Sequence, residues 1–251
     1  MKIIFMMYML LAGGNHVLAQ NLSLLIRQAD SLEASLHEQA AYYKFREVLK
    51  VDPRNYYALW KSSELCSRVG NRQATKEKKI EFFTAGGTYA QNAIKVNPRA
   101  ADGYYALSVA MGRKALIESG NERIKAVREI RANAEKALKI NPNHGRAWHV
   151  MGKWHYEVSN LNTIEKTALK ILYGGLPKAS LQESIASYEK ARLFEPVFAL
   201  NNLELAKAYY RDGQLEKAIN LLKALPSIPH KTEDDNRIKS EGKLLLTKWR
   251  K

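Results

Sequence analysis

The chain has 251 residues, of which 46% are hydrophobic and 26% are charged, and this composition excludes a disordered protein. Its formal net charge of +15 favours anionic partners such as phospholipid headgroups, nucleic acid or acidic peptides, although basic helix faces can equally serve only to keep a protein in solution. Long strand-like alternation is absent, while Ala, Leu, Lys, Glu and Arg dominate, so the sequence predicts an all-α fold.

The N-terminal segment, MKIIFMMYMLLAGGNHVLA at residues 1–19, predicts a signal peptide. The apolar run Ile3–Ala12 is followed by small residues at Val17 and Ala19, which fit a cleavage site before Gln20. Because a spanning helix needs about 20 residues, we expect cleavage and no stable transmembrane segment afterwards; an uncleaved anchor is the alternative. The protein is therefore expected to be exported, in the periplasm or another extracytoplasmic space, where nucleic acid is not an expected partner.

Four segments share an ending in which an apolar helix closes on a proline. They are FREVLKVDP, AQNAIKVNP, AEKALKINP and YEKARLFEP, which end at Pro53, Pro98, Pro142 and Pro196. Proline cannot continue a helix and disfavours helix in the preceding residue, so each one predicts a helix boundary. The tetratricopeptide repeat has a late proline of this kind, after W-x2-L-G-x2-Y on its first helix and A-x3-F on its second.

The repeat pattern fits residues 201–222, NNLELAKAYYRDGQLEKAINLL, without gaps. The middle units fit only with insertions, of which two lengthen the second helix (residues 70–94 and 119–138) and one forms an extra short helix (161–180). The sequence thus predicts a tetratricopeptide-like α-solenoid of about five helix pairs in a single domain, residues 20–251. The predicted units are residues 22–53, 54–98, 99–142, 143–196 and 197–230.

Residues 232–250 are predicted to form a C-terminal capping helix. Thr232 is a good N-cap, and Asp235 can reach back to it in a capping box. Ile238, Leu245 and Trp249 recur on one face. Repeat arrays need such a helix to cover the last exposed seam.

The segment NPNHGRAWHVMGKWHYEV, residues 141–158, raises the question of a metal site because it holds His144, His149 and His155. The first and last are separated by about 16 Å along a helix, whereas two zinc ligands must lie within about 4 Å of each other. No pair has the spacing of H-E-x-x-H. The sequence therefore predicts no metal site here.

On the same helix Trp148, Met151, Gly152 and His155 take the W-x2-L-G-x2-Y places and are predicted to pack inward, with His144 on the same stripe. The other face would line the concave surface of the array. Rings with cations between them suit an anionic, partly apolar ligand, although such residues can equally be solvated or contact the inserted helices. The candidate binding residues on this surface are Trp60, Tyr105, Arg113, Arg146, His149, Lys153, Tyr156, Lys207 and Tyr210.

Motifs for catalysis are absent from the sequence. There is no glycine-rich phosphate loop in a P-loop or Rossmann context and no G-x-S-x-G elbow, and the single cysteine, Cys66, is predicted to be a small apolar residue on a helix. We expect no cofactor and no enzymatic activity.

Several stretches together resemble the regulator of microtubule dynamics proteins. They are NPNHGRAWHVMGKWHYEV, KILYGGLPKASLQESIASYEKARLFEP, NLELAKAYYRDGQLEKA and HKTEDDNRIKSEGKLLL, and the resemblance extends over roughly residues 22–250. It implies a tetratricopeptide-like helical domain in a non-enzymatic family whose members associate with microtubules. It also implies phospholipid as a ligand, because one member tethers the membranes of two organelles and binds phospholipid through this domain.

These observations predict a non-enzymatic scaffold or adaptor that binds a protein or peptide partner through its concave face. The alternative is a module that binds or transfers anionic phospholipid through a basic and aromatic groove.

Overall fold

The computed structural model describes residues 20–117, 120–161 and 178–250, and also the single residues Thr167 and Lys170. For residues 120–124 it describes the backbone only. In these ranges the regular structure consists of helices, and no strand occurs. This confirms the all-α class. None of the helices in the described ranges combines the length and the apolar character needed to cross a membrane.

The helices follow one another as antiparallel pairs. They are α1 (residues 20–34) with α2 (Glu38–Val51), α3 (Tyr56–Asn71) with α4 (Lys76–Val96), α5 (Ala101–Ala115) with α6 (Gly120–Ile140), α7 (Gly145–Ser159) with α8 (Leu181–Phe194), and α9 (Ala199–Arg211) with α10 (Leu215–Ala224), then a short 3₁₀ turn (Leu225–Ser227) and α11 (Asp235–Trp249). Each pair packs on the next, as in a tetratricopeptide-like solenoid. Helices α4 and α6 have 21 residues each, against 14 in α2, so these second helices are lengthened. The extra helix predicted at residues 161–180 lies largely outside the described residues.

The turn between successive units repeats one local geometry. Asp52, Asn97 and Asn141 each precede the turn proline, and each accepts a hydrogen bond from the backbone N–H two residues further on, at 3.1, 3.1 and 3.0 Å. Such Asx turns need a short side chain. The fourth turn has Glu195 at this place, and its longer side chain instead reaches Arg146, 3.0 Å away.

The core consists of three clusters along the array, which together contain buried residues from every pair. A close contact joins α7 and α8, where a Cβ on Gly152 would lie 2.5 Å from Cδ1 of Tyr188. The Ser184 hydroxyl also donates to the Gly152 carbonyl oxygen at 2.8 Å. The glycine of the repeat pattern therefore lets two helices approach closely.

The predicted inward stripe of α7 is only partly correct. Met151 and His155 are buried, and Trp148 is partly buried against the same core. His144 does not belong to the stripe, because it precedes the helix as its N-cap and its Nδ1 accepts the Ala147 N–H at 3.1 Å.

The capping helix begins three residues later than predicted, at Asp235. The Asp235 carboxylate accepts the backbone N–H of Thr232 at 3.0 Å, as a capping box requires. The Thr232 hydroxyl, however, donates to the same carboxylate at 2.8 Å instead of accepting a helix N–H. Ile238 is buried against α9 and α10, so the helix covers the seam.

The segment before α11 also contacts the first unit of the array. The backbone N–H of Glu38 donates to the Glu233 carboxylate at 2.7 Å across 195 positions of sequence. Arg72 lies 2.7 Å from the Glu38 carboxylate, 3.2 Å from that of Glu233 and 3.5 Å from that of Asp234. We call these four residues the clasp. Through it, the two ends of the solenoid meet.

Candidate functional site

The concave face carries an ion-pair network rather than a basic stripe. Among the described residues, most of its cations lie within 4 Å of at least one carboxylate. Arg113 instead donates to the Asn71 side chain, and Arg211 donates to the Tyr156 carbonyl and the Ser159 hydroxyl. The paired cations of this face are Lys61, Arg68, Arg72, Arg146, Lys153, Lys207 and Arg237.

The centre of this network is the buried carboxylate of Glu64 on α3. It pairs with Arg146 of α7 and, at 2.7 Å, with Arg68, and the Tyr105 hydroxyl donates to it at 3.2 Å. Burial alone would raise the pKa of Glu64, but Arg146, Arg68 and Lys61 outweigh it and hold the pKa well below its usual range. Arg146 thus links α7 directly to α3, although α5 lies between them in the array.

His149 is held in the array by packing and by one hydrogen bond. The Asn201 amide nitrogen donates to a carbonyl, which leaves its Oδ1 to accept from His149 Nδ1 at 3.0 Å. The imidazole packs against the rings of Phe198, with centroids 4.9 Å apart, and Tyr188, at 5.4 Å. Burial lowers the pKa of His149 to about 4, so the imidazole is neutral at pH 7.

Lys153 and Lys207 share a single carboxylate, that of Glu204 on α9, at 2.8 and 2.7 Å. Burial works against ionisation of Glu204, but these two ammonium groups lower its pKa to about 2. Lys207 also pairs with Glu241 of the capping helix at 2.7 Å. These two candidate cations therefore join neighbouring helices.

The remaining candidates differ in how far they are engaged. Arg113 donates to the Asn71 side chain at 3.1 Å, and burial lowers the pKa of its guanidinium. The Tyr156 ring lies 5.0 Å from the Arg211 guanidinium. Tyr210 is half-exposed and stacks on Trp249 of the capping helix at 4.0 Å. Trp60 is partly buried and lines an open cleft.

This cleft has a volume of about 400 Å³ and opens where α3, α5 and α7 begin. The structure brings three of the predicted residues together in it: Trp60, Tyr105 and Arg146. Sequence reasoning missed the other lining residues, which come from the unit turns and from neighbouring helix ends. They are Lys61, Glu64, Asp102, Asn141, Asn143, His144, Gly145, Phe194 and Glu195.

The accessible charge of the cleft is negative. The side chains of Asp102 and Glu195 are 41% and 33% exposed, whereas those of Lys61 and Arg146 are 11% and 27% exposed and each lie near two carboxylates. His144, whose Nε2 lies 3.6 Å from the carboxylate, is the main cause that lowers the pKa of Asp102, so this carboxylate is ionised at neutral pH. The cleft therefore differs from the basic surface that the net charge suggested.

The described residues include no group of three or more His, Cys, Asp and Glu side chains placed to hold a metal ion. The three histidines of residues 141–158 point to different neighbours. Burial raises the pKa of the Cys66 thiol to about 12, so this thiol is not a nucleophile at neutral pH.

An array of antiparallel helix pairs with a cleft on its concave side defines a tetratricopeptide-like α-solenoid. Among solved structures, a tetratricopeptide repeat protein of Thermus thermophilus superposes with a TM-score of 0.63 at 18% identity, covering 89% of this chain and 99% of that one. PilF of Pseudomonas aeruginosa superposes with a TM-score of 0.55 at 11% identity, covering 92% of each chain. At these identities the likeness establishes the fold alone.

The family follows from sequence. The family model for regulator of microtubule dynamics proteins 1–3 matches residues 25–250, so the chain belongs to this family. It is 25% identical to regulator of microtubule dynamics protein 3 of Xenopus laevis over 86% of this chain and 47% of that protein. It is 24% identical to protein 1 of Bos taurus over 88% of this chain and 70% of that protein. The chain thus spans about half the length of the frog relative.

Proposed function

We propose that the chain is a non-enzymatic helical-repeat adaptor that binds a protein or peptide partner through its concave face. The observation that carries this proposal is the open cleft at the start of α3, α5 and α7. Its wall is fixed by the buried contacts of Glu64 with Arg146 and Tyr105. A site whose walls are already ordered loses little conformational entropy when a partner binds, which favours recognition.

The relatives support this proposal at a coarse level. Regulator proteins and repeat scaffolds act through the partners they bind, and solenoids commonly use their concave surface for this purpose. The identity of the partner does not follow, because the relatives contain large parts that this chain does not match.

Site-specific photocrosslinking in the cells that make the protein tests the proposal. A photoreactive amino acid at Asn143, exposed at the cleft, should form an adduct with a defined protein. The matched control carries the same group at Glu81, which is exposed on α4 outside the cleft. Identical adducts from both positions, or none from Asn143, would contradict binding through this face.

Anionic phospholipid is the alternative ligand. A phosphate in the groove would have to displace carboxylates from the cations Arg146, Lys153 and Lys207, whose contacts measure 3.0, 2.8 and 2.7 Å. This favours a protein partner. Flotation with phosphatidylserine vesicles distinguishes a lipid ligand from a protein partner. Binding to the vesicles that is lost in Lys153→Gln would support the lipid alternative.

We also propose that the protein is exported and that residues 1–19, which lie outside the described residues, are its signal. N-terminal sequencing of the protein from its own cells should then begin at Gln20. A sequence that begins at Met1 would refute cleavage.

A further inference from the structure

A short apolar segment where α8 ends, which we call the apolar rim, reaches the cleft through one of its side chains. Leu193, Phe194 and Val197 lie within five residues of each other and are 73%, 37% and 43% exposed. Phe194 also lines the cleft itself. Three large apolar side chains exposed in one short segment, beside a cleft, are typical of an interaction surface.

The carboxylates at the mouth have unused capacity to accept hydrogen bonds. Glu195 uses only Oε2, which contacts Arg146, and its Oε1 has no partner among the described residues. Asp102 has only long contacts, 3.4 Å from the Tyr56 hydroxyl and 3.6 Å from His144 Nε2. By contrast, the donors of Lys61 and Arg146 contact the chain's own carboxylates.

We propose that the cleft and its apolar rim bind a partner segment in which a cationic side chain, a guanidinium or an ammonium, lies next to apolar ones. The cation would lie between Asp102 and Glu195, where charge-assisted hydrogen bonds and the Phe194 ring both favour it. The apolar neighbours would cover Leu193 and Val197. This inference rests on the adaptor function proposed above and specifies the chemistry of the partner.

The sequence supports the assignment of Glu195 to the cleft. In the other three unit turns the equivalent residue is Asp or Asn, and its side chain closes the turn. Glutamate is one methylene longer, and here its carboxylate faces the cleft instead of the turn backbone. Two unit turns line the cleft, and the one at Glu195 gives up this local hydrogen bond and places a carboxylate at the mouth.

The overall charge of the protein makes a peptide experiment selective. A net charge of +15 repels a basic peptide from most of the surface, so binding of such a peptide reports an exceptional site. At physiological ionic strength the Debye length is about 8 Å, so nearby carboxylates dominate over distant lysines.

The test uses fluorescein-labelled peptides of Leu, Gly and Ser that differ only in a central arginine, glutamine or glutamate. Binding to the full chain is followed by fluorescence anisotropy. We expect the arginine peptide to bind most tightly, and Asp102→Asn and Glu195→Gln each to weaken it by about fivefold, the loss of one partly exposed ion pair. The control variant Glu81→Gln, on α4, should leave its affinity unchanged, and thermal melting should show that all variants fold.

The outcomes separate this inference from the adaptor function. Tighter binding of the glutamate peptide, or an arginine peptide unaffected by Asp102→Asn and Glu195→Gln, would overturn the cationic preference. Equal binding of all peptides that is lost in Phe194→Ala would also overturn it, while retaining the cleft as a peptide site. If no peptide binds but the crosslink at Asn143 finds a partner, the cationic inference alone fails; if the crosslink also fails, the adaptor function fails with it.

Discussion

Replacing Glu64 by glutamine tests whether the network on the concave face holds the array together. Glutamine keeps the shape of the side chain and can still accept the hydrogen bond from Tyr105. It removes the negative charge that Arg146 and Arg68 contact from two different helices. The Glu64 side chain is only 5% exposed, so water cannot replace the lost charge effectively.

The expected loss follows from the contacts that remain. Removing one partner of a buried ion pair destabilises a protein by about 3–5 kcal/mol. Arg146 keeps Glu195, and Arg68 keeps Glu33 and Glu38, so part of the positive charge remains neutralised. We therefore expect Glu64→Gln to lower the free energy of unfolding by about 2–3 kcal/mol at neutral pH.

Urea denaturation followed by circular dichroism measures this difference. Because the pKa of Glu64 is depressed in the folded state, its stabilisation is complete above the unfolded value of about 4.3 and is lost as the pH falls through the folded value. The gap between wild type and Glu64→Gln should therefore narrow below about pH 4. The matched variant Glu81→Gln removes an exposed carboxylate that pairs with Lys78 and should change stability little. A Glu64→Gln protein as stable as Glu81→Gln would refute the role given to the network.

Three further perturbations address packing, ionisation and the clasp. Gly152→Ala should lower the free energy of unfolding by about 1–3 kcal/mol, because the new Cβ would overlap the Tyr188 ring. Gly87→Ala should raise it by about 0.5–1 kcal/mol, because no atom lies within 4 Å of a new Cβ there. Thermal unfolding of the two variants measures both effects. His149 should titrate near pH 4 by NMR, and a titration near 6.5 would contradict its burial. Because folding lowers the pKa of His149, the free energy of unfolding should fall as the pH drops from about 6.5 towards 4, and it should fall less in His149→Gln. Arg72→Gln should speed hydrogen exchange at the start of α2 and at residues 231–236 together, and a change at one end alone would show that the ends are not coupled.

The helices could be predicted from the sequence because their limits are set locally. Proline lacks an N–H and restricts the residue before it, and Pro53, Pro98, Pro142 and Pro196 all lie in turns just after a helix. The start of α11 was misplaced because Thr232 and Asp235 bond to each other without continuing the helix between them.

The state of the candidate site could not be predicted in the same way. A helical period assigns Arg146 to the concave face, but its partner Glu64 is 82 positions away, and only the curvature of the array brings them together. The same holds for His149 and Asn201, 52 positions apart. Net charge therefore did not reveal that the cations of this face are largely paired. The deviation at Glu195 from the Asp or Asn of the other turns is the signal in the sequence that points to the cleft.

The clasp limits how many helix pairs this protein can contain. In an open solenoid each repeat touches only its neighbours, so a repeat can be added or lost at little cost to the rest. Here an additional pair would move Glu233 away from Glu38 and break a contact that spans 195 positions. A helix can become longer within its own pair without breaking the clasp, as α4 and α6 have. The copy number of the array is thus fixed by its geometry, while the length of individual helices is free to vary.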